Sequence, residues 1–308
     1  MSHPKATALR GLMTAILTPL DRQGRLALEH FPTLLEFQRR GGVDGVVVCG
    51  TNGEGTSLSV EERKRTLEAA LAHRGVLTVV AGTGAASVTD AVELTRHAAQ
   101  AGADAALVLP PFYFKNPTVE GLAAYFRAVL DAADIPVLLY SIPQQTAVPI
   151  TDALLELLSG HPNLAGLKDS AGDWARTQEL LARYPHLRIF GGHDKLASRG
   201  YASGSAGCIS GNANAFPEVV AAVRDAHRAD PTGAQAEAAQ ARLSALADIT
   251  LRYPLIAVSK SVLAHRGLPR LGVRPPLVNL TPAQEESLLA ELRAAGFLPK
   301  YSQQDLQN

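Results

Sequence analysis

The chain has 308 residues, 46% of them apolar, and its 29 Lys+Arg balance 29 Asp+Glu, so the formal net charge is zero. That composition supports a substantial core in one large domain or two ordinary ones, and nothing in it suggests a nucleic-acid or anionic-membrane partner. Cys49 and Cys208 each lie inside an apolar run and read as buried small hydrophobes, not as a disulfide framework or a metal site. Met1 to Arg10 lacks an apolar signal core and no apolar run is long enough to span a bilayer, so a soluble cytoplasmic protein is expected.

Strand-like and helix-like segments alternate along the chain. The expected strands are Leu12–Leu17, Asp44–Cys49, Leu77–Ala81, Ala105–Leu109, Pro136–Tyr140, Leu164–Lys168, Leu187–Phe190 and Ala206–Ser210. Between them the apolar spacing predicts helices over Leu26–Arg40, Val60–Ala72, Ser87–Ala101, Thr118–Ala132, Ile150–Leu158, Trp174–Arg183 and Asp194–Ala202. Ser57-Leu58-Ser59-Val60-Glu61-Glu62 carries a helix start signal, with acids in the first turn. The strands are continuous apolar runs, as parallel strands covered on both faces must be.

Eight such units in roughly 200 residues fit an α/β fold, a (β/α)8 TIM barrel. A doubly wound open sheet would want a phosphate fingerprint after the first strand, and Leu17-Thr18-Pro19 is not one. After Ser210 the alternation stops, and Phe216–Arg228, Gly233–Leu251, Leu255–His265 and Pro282–Ala295 all read as helices. The first closes the barrel, which gives a barrel over residues 1–230 and an α-helical C-terminal extension over 231–308.

In a barrel of this kind chemistry sits at the C-terminal ends of the strands. Those ends carry Thr18-Pro19, Gly50-Thr51-Asn52-Gly53-Glu54-Gly55, Gly82-Thr83-Gly84, Phe112-Tyr113-Phe114, Tyr140, Lys168, Gly192-His193-Asp194 and Ile209-Ser210. Lys168 ends the apolar run Asn163-Leu164-Ala165-Gly166-Leu167. Taken by itself, it reads first as a strand-end lysine whose ammonium reaches back to water. The alternative is an amine that gives up its proton in a dry site and attacks carbonyl carbon. Two tyrosines that can relay protons, and glycine-rich turns whose N–H groups can bind a carboxylate, stand on the same rim and favour the second reading.

Other motifs do not develop. Gly50–Gly55 lacks the Gly-Lys-Ser/Thr of a nucleotide P-loop, and Gly82-Thr83-Gly84 does not continue into a dinucleotide fingerprint. The nine histidines form no His-x-x-x-His pair, so no catalytic metal is expected.

Three motifs in this order and spacing resemble the dihydrodipicolinate synthase/N-acetylneuraminate lyase family of class I, Schiff-base-forming aldolases: Gly50-Thr51-Asn52-Gly53-Glu54, Tyr140-Ser141-Ile142-Pro143 and Gly166-Leu167-Lys168-Asp169-Ser170. The resemblance runs from about Gly11 to Pro299. It implies that Lys168 forms an imine with pyruvate or another 2-oxo acid, so that no separate cofactor is needed, and that Tyr140 relays protons. It further implies that Thr51 and the N–H groups around Asn52 clamp the carboxylate. Tyr113 matches the tyrosine lent across a tight dimer, although the local segment carries an extra residue, and Ala15, Gly192 and Ile209 match site-lining positions. A homotetramer, a dimer of dimers, is the implied assembly.

Two departures from the family pattern bear on substrate. Asn52 stands where a second threonine or serine is usual. Gln145 stands where dihydrodipicolinate synthases carry the arginine that binds the aldehyde's carboxylate, and a neutral amide does not replace a bidentate guanidinium. Gln145 thus argues against aspartate semialdehyde, and the Asn52, Tyr140-Ser141-Ile142-Pro143 and Lys168-Asp169-Ser170 variants look more like the branch that cleaves 4-hydroxy-2-oxoglutarate or 2-keto-3-deoxy sugar acids. The expected function is a pyruvate-dependent aldolase-type lyase acting on a 4-hydroxy-2-oxo acid, with pyruvate and an aldehyde as small-molecule partners. The alternatives are a synthase condensing pyruvate with aspartate semialdehyde, and a non-catalytic 2-oxo-acid-binding protein.

Overall fold

Eight short apolar runs become eight parallel strands in the computed structural model, which describes residues 3–231 and 233–299. The strands are β1 (Gly11–Ala15), β2 (Gly45–Val48), β3 (Thr78–Gly82), β4 (Ala105–Val108), β5 (Val137–Ser141), β6 (Leu164–Asp169), β7 (Arg188–Gly191) and β8 (Gly207–Ser210). They pair in sequence order and close through β1 and β8. The helices of the barrel are α1 (Phe31–Arg40), α2 (Val60–Ala72), α3 (Val88–Ala101), α4 (Val119–Leu130), α5 (Pro143–Thr146), α6 (Asp152–Leu158), α7 (Trp174–Arg183), α8 (Ala197–Ala202) and α9 (Pro217–Ala229). Among the described residues α10 (Ala234–Thr250), α11 (Leu255–His265) and α12 (Pro282–Ala294) follow. The expected (β/α)8 TIM barrel with added C-terminal helices is what forms. The outer ends of the two expected segments, Met1–Ser2 and residues 300–308, lie outside the described residues.

Closure explains why the strands read as unbroken apolar runs. One face of each packs on the surrounding helices, and the other fills the barrel with side chains such as Met13, Val47, Leu107, Leu138 and Phe190. Cys49 and Cys208 are both buried and unpaired, as their apolar surroundings suggested.

Local differences from the expected elements have identifiable causes. The first expected helix opens as a 3-10 turn over Leu28–His30 and becomes α-helical at Phe31, where Pro32 fits the first turn because that turn's N–H has no intrahelical partner. α2 spans Val60–Ala72 as expected, and within its start signal Ser59 is the cap: the Ser59 hydroxyl accepts from Glu62 N at 3.2 Å while Glu62 accepts from Ser59 N at 2.9 Å. α6 begins two residues later than expected because Thr151 caps it, its hydroxyl accepting from Leu154 N. The expected helix over Asp194–Ala202 splits into a 3-10 turn, Asp194–Leu196, and α8. The single turn α5 is additional, and it follows directly on the strand that ends in Tyr140-Ser141.

Between β5 and β6 the register shifts by one residue. Val137 pairs with Leu164, but Leu138 pairs with Gly166, so Ala165 is the extra residue. From there on Tyr140 pairs with Lys168. Without the shift Lys168 would stand opposite Ser141. Gly166 admits no side chain, because a Cβ there would lie 2.0 Å from the Arg188 carbonyl oxygen.

The C-terminal helices are tied to the barrel rim by a buried ion pair. Lys260 Nζ on α11 donates to Glu54 Oε1 at 2.5 Å and to the Gly272 carbonyl, and Glu54 Oε2 accepts from Arg274 N at 2.8 Å. Both charged side chains are fully buried. Burial pushes the Lys260 ammonium below its ordinary range, and the Glu54 carboxylate beside it opposes that. Removing one partner strands the other charge in a dry site, whereas removing both does not. Lys260→Met is therefore expected to lower unfolding stability by about 3–5 kcal/mol, and adding Glu54→Gln to recover much of the loss. Urea unfolding midpoints check this; additive losses in the double variant would show that the two side chains are not coupled.

Candidate active site

Lys168 and Tyr140 occupy the inner face at the C-terminal ends of neighbouring strands, and both are almost fully buried, at 4% and 3% exposed. Lys168 Nζ donates to Tyr140 Oη at 3.3 Å and lies 4.3 Å from the centroid of the same ring. Lys168 therefore does not reach back to water; its polar partner is the phenol. Asp169, next in sequence, faces the other way and accepts from Thr177 Oγ1 on α7 at 2.9 Å.

The hydrogen-bonded chain continues from the phenol to Thr51, whose Oγ1 is 3.3 Å from Tyr140 Oη. Thr51 belongs to the glycine-rich turn after β2. Cys49 and Glu54 both take positive φ there, and a Cβ on Gly55 would lie 2.0 Å from the Cys49 carbonyl oxygen, so only glycine fits. Thr18 Oγ1 donates to the Gly53 carbonyl at 2.5 Å, and Glu54 fastens the turn to α11. Within this fixed turn the backbone N–H groups of Thr51 and Asn52 make no hydrogen bond among the described residues, and Asn52 Nδ2 is buried and unpartnered. Three donors of this turn thus have nothing to donate to among the described residues, which suits an anionic oxygen.

Burial by itself would push the Tyr140 phenol up. The Lys168 ammonium, and hydrogen bonding to Thr51 and Lys168, outweigh it and hold the group below the ordinary phenol value of 10.0. A phenol in that range donates and accepts a proton more readily near neutral pH than an ordinary tyrosine.

These groups open into a cavity of about 510 Å3. Thr51, Asn52, Tyr140, Gln145, Lys168, Gly192 and Ile209 all line it, as does Ala15. Gly192 has no room for a side chain, because a Cβ would meet Ser170 Oγ at 1.9 Å. Tyr113 is the exception. Within this chain it is not part of the cavity; it is 75% exposed on the loop after β4, its ring edge-on to Phe114. Phe112 lines a smaller neighbouring cavity of about 140 Å3 that shares Thr51 and Tyr140. No group of three or more His, Cys, Asp or Glu among the described residues could hold a metal ion.

Reading strand ends alone misses Ser170, Gln144 and the cover of the cavity. That cover comes from the start of α11 and the segment before α12, including Leu255, Ile256, Val273, Leu277 and Val278. Ser170 could have been found from the motif that contains Lys168; nothing in the barrel pattern points to the cover.

A lysine–phenol pair under a cavity at the C-terminal mouth of a parallel barrel places this protein among the barrel enzymes whose chemistry is built from strand ends. Comparison with known proteins sharpens the class: the chain belongs to the dihydrodipicolinate synthetase family, whose sequence model matches residues 8–295, and it is a lyase of that family. It is 47% identical over 292 residues to an uncharacterized DapA-like lyase of Chloroflexus aurantiacus, covering 93% of this chain and 95% of that one. It is 38% identical over 293 residues to the 4-hydroxy-tetrahydrodipicolinate synthase of Phenylobacterium zucineum, covering 94% and 98%. Among solved structures it resembles YagE, a prophage protein of the dihydrodipicolinic acid synthase family from E. coli K12 in complex with pyruvate. The TM-score is 0.89 at 28% identity, over 94% of this chain and 99% of that one. No helix among the described residues is long and apolar enough to cross a membrane.

The Lys168 charge is the largest influence that lowers the Tyr140 pKa, so Lys168→Met is expected to move the phenol upward. Ultraviolet difference titration against Tyr140→Phe isolates the relevant signal. A Tyr140 titration that does not move in Lys168→Met would dissociate the two groups.

Proposed function

We propose that this protein is a pyruvate-dependent aldolase-type carbon–carbon lyase that acts on a 4-hydroxy-2-oxo acid through an imine on Lys168. The observation that carries this reading is the buried Lys168 amine, hydrogen-bonded to Tyr140 and open to the cavity. The pyruvate complex of YagE supports a 2-oxo acid as the class of ligand.

Lys168, as the neutral amine, attacks the C2 carbonyl; one proton from the amine and one from Tyr140 pass to the carbonyl oxygen, which leaves as water, and Tyr140 is left as the phenolate. The iminium is an electron sink. The C4 hydroxyl gives its proton to Tyr140, the C3–C4 bond breaks to release an aldehyde, and the bonding pair enters the iminium as an enamine. Protonation at C3 and hydrolysis release pyruvate and restore the amine. The substrate carboxylate takes the free N–H groups of Thr51 and Asn52 and the Asn52 amide. The lysine imine itself supplies the activation, and no other cofactor enters the reaction.

The second reading is 4-hydroxy-tetrahydrodipicolinate synthase, favoured by the relative from Phenylobacterium zucineum. Gln145 argues against it, because the cavity then holds no guanidinium for the carboxylate of aspartate semialdehyde. Tyr113 is read as lent to a neighbouring subunit, since it and Phe114 form an exposed aromatic pair on one loop. We propose with it the homotetramer that the family resemblance implies, in the cytoplasm, and sedimentation as a monomer would remove the assembly.

Borohydride reduction with pyruvate is expected to trap a covalent adduct on Lys168, visible in the intact mass and absent in Lys168→Ala. Tyr140→Phe should still form the adduct, more slowly, and lose about 100-fold or more of its turnover, as loss of an acid–base group does. An unchanged intact mass would sink the mechanism, and normal turnover in Tyr140→Phe would remove that residue from the relay.

A further inference from the structure

We infer that the aldehyde half of the substrate is uncharged and apolar, an aromatic or branched aliphatic aldehyde, and not one bearing a carboxylate or several hydroxyls. This rests on the imine reading above and turns away from the dicarboxylate and sugar-acid substrates that the sequence resemblance suggested.

The ionisable side chains lining the cavity are Lys168 and Tyr140. Both are used by the imine chemistry, and Thr51 and Asn52 are used by the carboxylate of the 2-oxo acid. What remains for the aldehyde is the wall formed by Ile142, Leu255, Ile256, Val273, Leu277 and Val278, the carboxamides of Gln144 and Gln145, and one hydroxyl, Ser170, whose Oγ is buried without a hydrogen-bond partner among the described residues. One carboxamide is engaged, since Gln144 Nε2 donates to the Ala171 carbonyl at 2.6 Å. A second carboxylate brought here would lose water and gain no counter-charge, and a polyhydroxylated chain would leave most of its hydroxyls unpaired.

The segment that covers the cavity has cations, but they are turned away from it. Arg266 pairs with Glu218, Arg270 with Glu285, and Arg274 forms a bidentate pair with Glu62 at 2.7 and 2.8 Å. Each guanidinium is already committed to a carboxylate outside the cavity. Meanwhile Leu277 and Val278 stay 37% and 69% exposed at the mouth, an apolar edge that an apolar substituent would cover.

In the synthetic direction C3 of the pyruvate enamine attacks the aldehyde carbon, and a C–C bond forms. The aldehyde oxygen takes a proton from Tyr140 to become the 4-hydroxyl. Water then hydrolyses the iminium, which frees Lys168 and restores the 2-oxo group. None of these steps asks the aldehyde's substituent for a charge.

The test uses the full chain with pyruvate and four probe aldehydes: benzaldehyde, isobutyraldehyde, glyoxylate and D-glyceraldehyde. Product formation is followed by mass spectrometry after the borohydride adduct has been confirmed on the same sample. The expected result is a kcat/KM for benzaldehyde at least about tenfold above those for glyoxylate and D-glyceraldehyde. Val278→Lys, at an exposed position that folding tolerates, is expected to raise KM for benzaldehyde with kcat little changed, and to narrow the ratio to glyoxylate by about tenfold. If the adduct forms but glyoxylate or D-glyceraldehyde is used as well as benzaldehyde, this inference is overturned and the imine reading stands. If no adduct forms, both fall. A ratio that Val278→Lys leaves unmoved would overturn the part assigned to the cavity's mouth.

Discussion

The active rim depends on a strand register. Tyr140 and Lys168 sit on adjacent parallel strands, and they face each other only because the β5–β6 pairing shifts by one residue at Val137/Leu138. Side chains alternate faces along a strand, so a one-residue difference decides whether a residue lies inside the barrel or against its helices. The shift puts the ammonium on the inner face, under a cavity, with a phenol as its partner. The lowered phenol pKa, the link to Thr51 and the burial of the amine all follow from that placement.

A second constraint holds the partner groups still. The glycine-rich turn carries two non-glycine residues at positive φ, a conformation that surrounding structure must enforce. Glu54 supplies part of that enforcement. Its side chain reaches Lys260 on α11 and the Arg274 amide, so the turn that presents Thr51 and Asn52 is fastened to the C-terminal helices. The same helices and the segment between them cover the cavity. The extension therefore has two effects on the site: it fixes the donors at the floor and sets the polarity of the cover.

Much of the barrel was legible because each strand buries both faces and so announces itself as an apolar run between turns. The helices over Trp174–Arg183 and Leu255–His265 begin and end where the spacing predicts. Ends moved where a local hydrogen bond decided them, as at Thr151. The rim residues were legible for a related reason: in a parallel barrel all strand ends of one polarity lie on one face, so Thr51, Tyr140, Lys168, Gly192 and Ile209 meet without any contact being known in advance. Tyr113 does not join them within the chain, because the loop after β4 carries it outward past Phe112. The cover was not legible, since Leu277 and Val278 belong to a segment with no regular pattern and come to line the same cavity as Tyr140 only in the folded chain.

The sequence by itself determined the alternation of strand and helix, the lysine at a strand end and the absence of a guanidinium at Gln145. These are local facts, written in spacing and residue type. The tertiary structure decided that Lys168 faces Tyr140, that three donors in the Thr51-Asn52 turn have no partner among the described residues, and that the far wall of the cavity is apolar with its nearby arginines paired elsewhere. Each of those depends on groups distant in the chain, such as Glu54 and Lys260, 206 residues apart. Hydrogen-bond register and burial are properties of closure, and closure exists only once the eighth strand has found the first.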